Sequence, residues 1–449
     1  MPSQPVHPPV PSASAPVATP PPATPLPATP SPGTPASASG RPAAPGYRAL
    51  LRNGEFAGLY AGFALTVVAS TLSGFALGTL VDDRTGSAFL TAVSMYGGSF
   101  AMVLGALTVM SVADGRRPRR TLVALQCLAF AGAAVQAVPG LPLAARFALL
   151  LVPGFFQSLA TGTRMGLLAE VVPDATHAMA RSLMNITAGG TAVLGYAVGA
   201  VLLHRLGPHG VFLVAAAAAG LGASVVAATV REHSIRLTRR PGLRRTWTVN
   251  RALLADPGRR VLLLNLWVPN GLVVGCEALF VPYAPDRAGV LLAASAAGML
   301  LGDLVVGRLL TAERRRRSAF ALRLLLAAPF LLFVLRPPLP VAVAAVFLAG
   351  AGFAATLPLQ ERLLALTPAP VRGQVQGVES AGRLTWQGVG AAVAGGLAQC
   401  LTPGTAITLA AAASVTVTVA SRRAVLRAGA QAGTDADGSG TAGASVTRP

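Results

Sequence analysis

The sequence predicts an all-α integral membrane protein with twelve transmembrane helices, arranged as two pseudo-symmetric six-helix halves. Two observations carry this prediction. Apolar segments follow one another from Phe56 to Ala420, and each is close to the roughly 20 residues that a helix needs to cross a bilayer. Hydrophobic residues make up 53% of the chain and charged residues only 12%, whereas soluble domains carry roughly 25% charged residues.

Short polar stretches separate the apolar segments. The twelve segments are 56–80, 88–112, 121–138, 146–170, 179–203, 210–230, 261–282, 288–310, 318–335, 341–366, 375–398 and 404–421. A long polar break between the sixth and the seventh divides them six and six. The predicted domains are a disordered proline-rich cytoplasmic tail (1–50), an N-terminal six-helix half (51–230), a basic cytoplasmic linker (231–260), a C-terminal six-helix half (261–421) and a disordered cytoplasmic tail (422–449).

The basic residues predict the orientation of the chain. The net charge is +20, and all 36 basic residues are arginine. In a soluble protein such a charge would suggest nucleic acid, but here most arginines fall in alternate loops, such as 113–120, 231–260 and 311–317. Positive loops stay in the cytoplasm during insertion. We therefore expect both termini in the cytoplasm, contact with membrane lipids and no nucleic-acid partner, and the lysine-free composition favours a bacterial plasma membrane.

The polar segments and the cysteines point to no enzyme and no cofactor. The proline-rich tail lacks the apolar residues for a core, so it is either a solvated segment or a docking site for a proline-recognising partner. Cys127, Cys276 and Cys400 lie in apolar segments without metal-binding spacing. The phosphate-binding loop of an ATP-driven motor requires a lysine, and the sequence contains none.

The two halves contain related sequences. The second segment contains Met102-Val103-Leu104-Gly105-Ala106, and the eighth contains Met299-Leu300-Leu301-Gly302-Asp303. Each segment then leads into one acidic residue followed by four arginines, beginning at Asp114 and at Glu313. Both matches lie six segments apart, as in secondary transporters with duplicated halves and a substrate site at the midplane.

These features resemble the major facilitator superfamily over nearly all of 50–425. The loop with Asp114, Arg116, Arg117 and Arg119 is similar to the acidic-plus-arginine signature of that family. The fifth segment, with Gly195 and Gly199, resembles the glycine-rich signature of its exporter branch, with Tyr196 in the place of the usual proline. The resemblance implies the twelve-helix fold of that family and transport of a small molecule by alternating access.

Each of these motifs has two physical interpretations. For the loop, one interpretation is that Asp114 binds Arg116, Arg117 and Arg119, or a neighbouring helix end, when the cytoplasmic mouth is closed. The other is that the arginines only anchor the topology. Glycines four residues apart allow two helices to approach closely in lipid. Gly195 and Gly199 therefore form either a rigid packing seam or a sliding surface on which the halves rock.

Ionisable and amide side chains within the apolar segments are the candidate site residues, because burying a charge in a bilayer costs at least about 2.5 kcal/mol. Glu277, Asp303, Arg164 and Asn270 are the candidates for proton coupling or the substrate cavity. Glu277 has no basic residue within a helical turn, which favours proton binding, although a structural acid is the alternative. Asp303 is expected to pair across helices, and Arg164 to snorkel, to pair with Glu170 or to bind an anionic substrate group.

Glu379 and Arg383 are four residues apart in the eleventh segment and share one helix face. An intrahelical ion pair and a gate near the cytoplasmic end of the cavity are the two interpretations.

The sequence thus predicts a monomeric secondary transporter that couples protons to the export of a small amphipathic or hydrophobic compound. The apolar segments offer few of the polar and aromatic groups that a sugar carrier needs. Two alternatives come from other classes: an integral membrane enzyme acting on lipid-linked substrates, and a transporter-like sensor that moves no solute.

Overall fold

The computed structural model describes residues 47–108, 117–232, 243–368 and 371–428. These residues belong to one compact unit. Helices dominate the described part of the chain, which contains no strand, so the all-α prediction is confirmed.

The N-terminal half contains six helices and the linker one. They are α1 (Tyr47–Arg52), α2 (Gly54–Thr85), α3 (Ala88–Thr108), α4 (Pro118–Gln136), α5 (Leu143–Val171), α6 (Asp174–Thr229) and, in the linker, α7 (Leu243–Ala255). The C-terminal half contains eight further helices. They are α8 (Pro257–Ala278), α9 (Phe280–Tyr283), α10 (Ala288–Leu304), α11 (Ala312–Ala327), α12 (Leu339–Gly352), α13 (Thr356–Ala365), α14 (Arg372–Cys400) and α15 (Pro403–Ala420).

Within the described residues, every predicted apolar segment falls on one or two helices, and α6 contains two of the segments. The helix breaks at Gly207, whose φ of 65° lies in the region that favours glycine, just before Pro208. Within the described residues, nine helical segments are long and apolar enough to cross a membrane, with Met179–Thr229 counted as one. The more polar helices α4 and α14 are not among the nine. The protein is thus multi-pass, and the number of twelve crossings stays a prediction.

The two related sequence stretches make the same packing contact in both halves. In the N-terminal half α3 packs on α5, and in the C-terminal half α10 packs on α12. A Cβ atom at Gly105 of α3 would overlap the carbonyl oxygen of Phe155 in α5. A Cβ atom at Gly302 of α10 would lie 2.5 Å from the carbonyl oxygen of Ala351 in α12. Glycine is required at both positions because the backbones touch.

Each helix pair has a second contact, about two turns earlier on α3 and α10 and one residue earlier on α5 and α12. Gly154 of α5 faces the carbonyl oxygen of Gly98 in α3, and Gly350 of α12 faces that of Ser295 in α10. In both halves, two residues seven positions apart on one helix therefore contact two adjacent residues on the other. At this second contact the halves differ in one side chain, because Ser295 stands where the N-terminal half has Gly98.

The two halves are joined at the end of the bundle that carries the 85–88 and 400–403 turns. We call it the joined end, and we call the end that carries the loops around 117, 231–257 and 309–312 the arginine-rich end. At the joined end, the side-chain amide of Gln399, at the end of α14, forms a hydrogen bond with the Ser87 hydroxyl at 3.2 Å. The largest hydrophobic cluster also includes Phe75 and Ala88 of the N-terminal half together with many residues of the C-terminal half.

At the arginine-rich end each half has its own hydrophobic cluster. One contains described residues from Leu50 to Val230 only. The other contains residues from Val249 to Ala428 only. Burial of apolar surface is the main force that holds helix ends together outside lipid. Among the described residues, the hydrophobic clusters join the halves at the joined end and not at the arginine-rich end.

Part of each predicted disordered tail is ordered. The prediction of disorder for the whole of 422–449 is wrong for residues 422–428, which are helical. Val425 and Ala428 are buried against Leu253 of α7 and Leu262 of α8, and this apolar contact explains the order. In the other predicted tail, Leu50 belongs to α1 and is buried. The rest of both tails lies outside the described residues.

Candidate functional site

Glu277 lies near the end of α8 and is only 4% exposed. Its carboxylate accepts a hydrogen bond from the Ser295 hydroxyl of α10. Among the described residues, no arginine or histidine forms an ion pair with this carboxylate, so none has a nitrogen within 4.0 Å of its oxygens. The Glu277 carboxyl group is thus buried with a hydroxyl partner and without a cation among the described residues.

Two tyrosines of the other half lie near Glu277. Tyr96 of α3 and Tyr196 of α6 both interact electrostatically with its carboxylate. Both rings pack against the hydrophobic cluster of the joined end, which includes Cys276 next to Glu277. Glu277 therefore lies where the halves meet, and any motion that separates them at the joined end changes its surroundings.

Asn270 lies seven residues before Glu277 on α8, about two turns along the same face. It is 4% exposed. Its side-chain oxygen accepts a hydrogen bond of 3.1 Å from Gln387 Nε2 of α14. Asn270 thus links two helices of the C-terminal half at the level between Glu277 and the arginine-rich end.

Glu379 is the centre of a second polar group on the side of α14 that faces α8. Arg383 Nε lies 3.1 Å from Glu379 Oε1, the intrahelical pairing that their spacing predicts. Gln360 of α13 donates to the other carboxylate oxygen at 3.2 Å. Trp267 of α8 donates to the Glu379 backbone oxygen at 2.9 Å. Three helices of the C-terminal half therefore meet at one residue, Glu379.

The N-terminal half contains a cleft of about 320 Å³ between α2, α3, α4 and α5. A volume of this size is typical of sites for small ligands. Most of the wall is apolar, and it includes the side chains of Leu77, Met95 and Leu150. The polar groups on the wall are Thr66, Ser70, Ser73, Ser99, Gln126, Gln136 and Gln157.

Gln126, which lines this cleft, has a side-chain oxygen without a partner among the described residues. Its amide nitrogen donates to Gly62 O at 3.1 Å and to Thr66 Oγ1 at 3.0 Å. Its buried side-chain oxygen has no hydrogen-bond partner in the described part of the chain. An unpaired buried acceptor costs about 1–3 kcal/mol, and a donor group on a ligand would recover that free energy.

Arg164 of α5 lies next to this cleft. It lines a smaller pocket that shares Gln126 and Gln157 with the cleft. Arg164 is 7% exposed, and its guanidinium lies 4.3 Å from the centre of the Phe63 ring. Among the described residues its guanidinium makes one side-chain hydrogen bond, to Thr161 Oγ1, which is long at 3.4 Å, and its buried Nε has no partner.

The predicted pairing of Arg164 with Glu170 is absent. Glu170 is exposed, and the two side chains form no ion pair. Arg164 does not snorkel to the surface either, because it is buried beside Phe63. Of the three alternatives, binding of an anionic group is the one that this geometry leaves open.

Asp303 lies apart from these residues. It is exposed near the end of α10, roughly two turns from Ser295 and just before the π-helical turn Val305–Leu309. The predicted pairing across helices is not found, since no described basic group forms an ion pair with Asp303. The reason is position, because Asp303 lies on a face of α10 that no basic side chain of the described residues reaches to form an ion pair.

The acidic-plus-arginine loop is only partly described. Asp114 and Arg116 lie outside the described residues, and Arg117 is exposed at the start of α4. Arg119 donates from its backbone N–H to Glu232 Oε1 at 3.2 Å and from its guanidinium to the Ala227 carbonyl oxygen. These bonds attach the start of α4 to the end of α6 within one half, and the sequence analysis did not single out Glu232.

Gly195 and Gly199 face α2 of their own half. A Cβ atom at Gly195 would lie 2.9 Å from Thr71 Cγ2, and one at Gly199 would lie 3.1 Å from Leu72 Cδ2. This is the geometry of a packing seam within the N-terminal half.

Comparison with known proteins identifies the family. The family model "Major Facilitator Superfamily" matches residues 59–285, half of the chain. The chain belongs to the major facilitator superfamily. The resemblance inferred from the sequence is therefore confirmed, and the protein is a member of a family of membrane transporters for small molecules.

Relatives within this superfamily are distant. An uncharacterized MFS-type transporter of Bacillus subtilis (strain 168), YfiS, is 29% identical over 304 residues, covering 62% of this chain and 71% of the relative. The nucleoside transporter NupG is 14% identical with a TM-score of 0.64, covering 82% of this chain and 98% of NupG. A bacterial homologue of the lysosomal transporter Spinster, in an inward-facing conformation, is 14% identical with a TM-score of 0.61, covering 84% and 95%. These structures show a shared fold.

The sequence patterns used above did not single out several residues of the candidate site. Gln126, Gln157, Gln360 and Gln387 are amides within apolar segments, and that pattern alone would have marked them. Ser295 carries no such signal, because serine hydroxyls within helices usually bond to their own backbone.

Proposed function

We propose that the protein is a proton-coupled exporter that exchanges protons for a small amphipathic compound by alternating access. The single observation that supports it best is the position of Glu277. This acid is buried between the halves, is held by Ser295 and has no described basic partner. A carboxyl group that takes up a proton from one side of the membrane and releases it to the other, as the two conformations alternate, supplies the coupling that an antiporter needs.

The coupling follows from the two ends of the bundle. In the conformation described here the halves are joined over Glu277, so the carboxyl group is shielded beside Tyr96 and Tyr196. Rocking of the halves would separate the joined end and bring water to Glu277. If the joined end faces outward, Glu277 takes up a proton there, and after the return to this conformation it releases the proton toward the arginine-rich end and the cytoplasm.

The cleft in the N-terminal half supports the substrate class. Its wall is mainly apolar, with scattered hydroxyl and amide groups. Such a site favours a hydrophobic body with one or two polar groups over a sugar, whose hydroxyls would lack partners. Arg164 at the neighbouring pocket adds one cation without a carboxylate partner in the described structure, so we propose that compounds with an anionic or acceptor group are preferred.

A transport assay with three dyes tests this function. The purified protein is reconstituted in liposomes, and a pH gradient is imposed in either direction. The probes are anilinonaphthalene sulfonate (anionic), Nile red (neutral) and ethidium (cationic). Gradient-driven accumulation of at least one dye, with a matching proton flux, is the expected result. Dye binding without any transport in either direction would contradict the proposal and favour a sensor.

Substitution of Arg164 is expected to change selectivity. Arg164→Gln keeps a donor for Thr161 and removes the charge, so binding of the anionic dye should weaken about tenfold or more, since a hydrogen bond to a charged group contributes about 1.5 kcal/mol or more. Nile red binding should stay the same. Titration of dye fluorescence against detergent-solubilised protein measures both, with Arg205→Gln, at an exposed position of α6, as the matched control. Equal loss for both dyes would indicate a structural role.

The proposed orientation places the arginine-rich end in the bacterial cytoplasm. Cys400, which is exposed at the joined end, should then react with a membrane-impermeant maleimide added to intact cells. An Arg314→Cys variant in a background without Cys127 and Cys400 should react only after permeabilisation. Mass spectrometry of the purified protein reads out both, and the reverse pattern would overturn the orientation.

A further inference from the structure

A second pocket, of about 350 Å³, lies at the arginine-rich end of the C-terminal half, away from the site described above. It is bounded by α11, by α13 and by the helical residues 422–428. Five arginines and one acid carry its charge: Arg316, Arg317, Arg323, Arg362, Arg422 and Glu313.

The charge in this arginine pocket is not balanced by the protein. Glu313 is bonded to Arg317 at 2.7 Å. None of the other four arginines forms an ion pair with any carboxylate that the structure describes. Arg362 donates to the Arg316 backbone oxygen at 2.8 Å, and the Arg422 guanidinium lies 4.6 Å from the centre of the Phe320 ring. These contacts hold the guanidinium groups in place without neutralising them.

Arg323 gives the pocket an unmet donor. It is 2% exposed, and its Nη2 donates to Thr418 Oγ1 at 3.3 Å. Its Nε is buried and has no acceptor in the described part of the chain. A buried guanidinium without a counter-charge is costly, and an anion in the pocket would remove that cost.

The remaining wall of the pocket is apolar. Phe320, Leu359, Val425 and Leu426 contribute to it, and Leu426 is 54% exposed. The segment that contains α11 is among those long and apolar enough to cross a membrane. Cationic and apolar surfaces thus meet at the end of a membrane helix, which is where a phospholipid presents its phosphate above its acyl chains.

We propose that the arginine pocket binds an anionic phospholipid, whose phosphate lies among Arg316, Arg323, Arg362 and Arg422 and whose acyl chains lie along Leu426. Arginine suits this role because its planar guanidinium donates two parallel hydrogen bonds to phosphate oxygens. The bound lipid would join α11, α13 and residues 422–428 at the arginine-rich end. The proposal is independent of the transported compound.

Native mass spectrometry of the delipidated, detergent-solubilised full-length protein tests the site. The probes are phosphatidylglycerol, phosphatidylcholine and inorganic phosphate. We expect phosphatidylglycerol adducts in preference to phosphatidylcholine adducts, and an increase in melting temperature with phosphatidylglycerol only. The Arg316→Gln/Arg422→Gln variant should bind phosphatidylglycerol less tightly, by about fivefold for each charge removed.

The matched control is Arg314→Gln/Arg423→Gln, which removes two exposed arginines close in sequence that do not line the pocket. It should bind phosphatidylglycerol like the parent. Equal weakening in both variants would overturn the proposal in favour of diffuse surface attraction. Equal stabilisation by inorganic phosphate would replace the lipid with a soluble anion. Because Arg316 and Arg422 are exposed, the Arg316→Gln/Arg422→Gln variant without lipid should melt at the same temperature as the parent. If its melting temperature falls, the phosphatidylglycerol binding of the single Arg422→Gln variant is compared with that of the control instead.

Discussion

Glu277→Gln is expected to abolish transport driven by a pH gradient while substrate exchange without a gradient continues. Glutamine keeps the shape of the side chain and retains an oxygen that can accept the hydrogen bond from Ser295. It removes the group that titrates. If Glu277 carries the coupling proton, accumulation of dye should fall to the level of empty liposomes, because no other described acid shares its position between the halves.

The measurement compares gradient-driven uptake with counterflow in the same liposomes. Asp303→Asn is the matched control, because it also neutralises an acid of the C-terminal half that lacks a described basic partner, at an exposed position. The control should accumulate dye like the parent protein. Accumulation by Glu277→Gln at the parental level would make Glu277 a structural acid, and Glu379 would be the next candidate.

Gly390→Ala is expected to destabilise the protein by about 3 kcal/mol or more, at the upper end of the range for overpacking. Gly390 of α14 packs directly on Gly271 of α8, and a Cβ atom there would overlap the Gly271 carbonyl oxygen. Backbone atoms cannot rotate away as a flexible side chain can. The helices must therefore separate, which would also disturb the contact between Asn270 and Gln387.

The same change at Gly396, about two turns further along α14, is the control. Nothing lies within 4 Å of a Cβ atom at this position. Alanine in an exposed helix is more favourable than glycine by roughly 0.5–1 kcal/mol. Thermal unfolding in detergent should therefore show opposite signs, with a lower melting temperature for Gly390→Ala and an equal or slightly higher one for Gly396→Ala. A neutral Gly390→Ala would mean that the two helices are farther apart than described.

The helices were predictable from the sequence because a membrane imposes one strong rule. A segment of about 20 apolar residues must satisfy its backbone hydrogen bonds internally, which requires a helix. The break at Gly207 also has a local signal, since proline follows it. The order of residues 422–428 has none, because the residues that bury Val425 and Ala428 come from α7 and α8, far away in the chain.

The candidate site was predictable only in part. Burial of Glu277, and the pairing of Glu379 with Arg383, follow from depth in a segment and from helical spacing. The partners of Glu277 do not, because Ser295, Tyr96 and Tyr196 come from three other helices. For Asp303 the sequence predicted a partner that the structure does not contain among its described residues. Its position within an apolar segment suggested burial, yet the residue lies on an exposed face near the end of its helix.

The repeated contact between α3 and α5 and between α10 and α12 bears on how two copies of one structural unit acquire different tasks. Gly98 and Ser295 occupy equivalent places and both present a backbone oxygen to a glycine of the partner helix. That backbone contact does not depend on the side chain, so the position is free to diverge. In one copy the added hydroxyl binds the acid, whereas the other copy keeps glycine beside an open cleft. Under the proposed function, this change of one small side chain separates the roles of the duplicated halves, one for the ion and one for the solute.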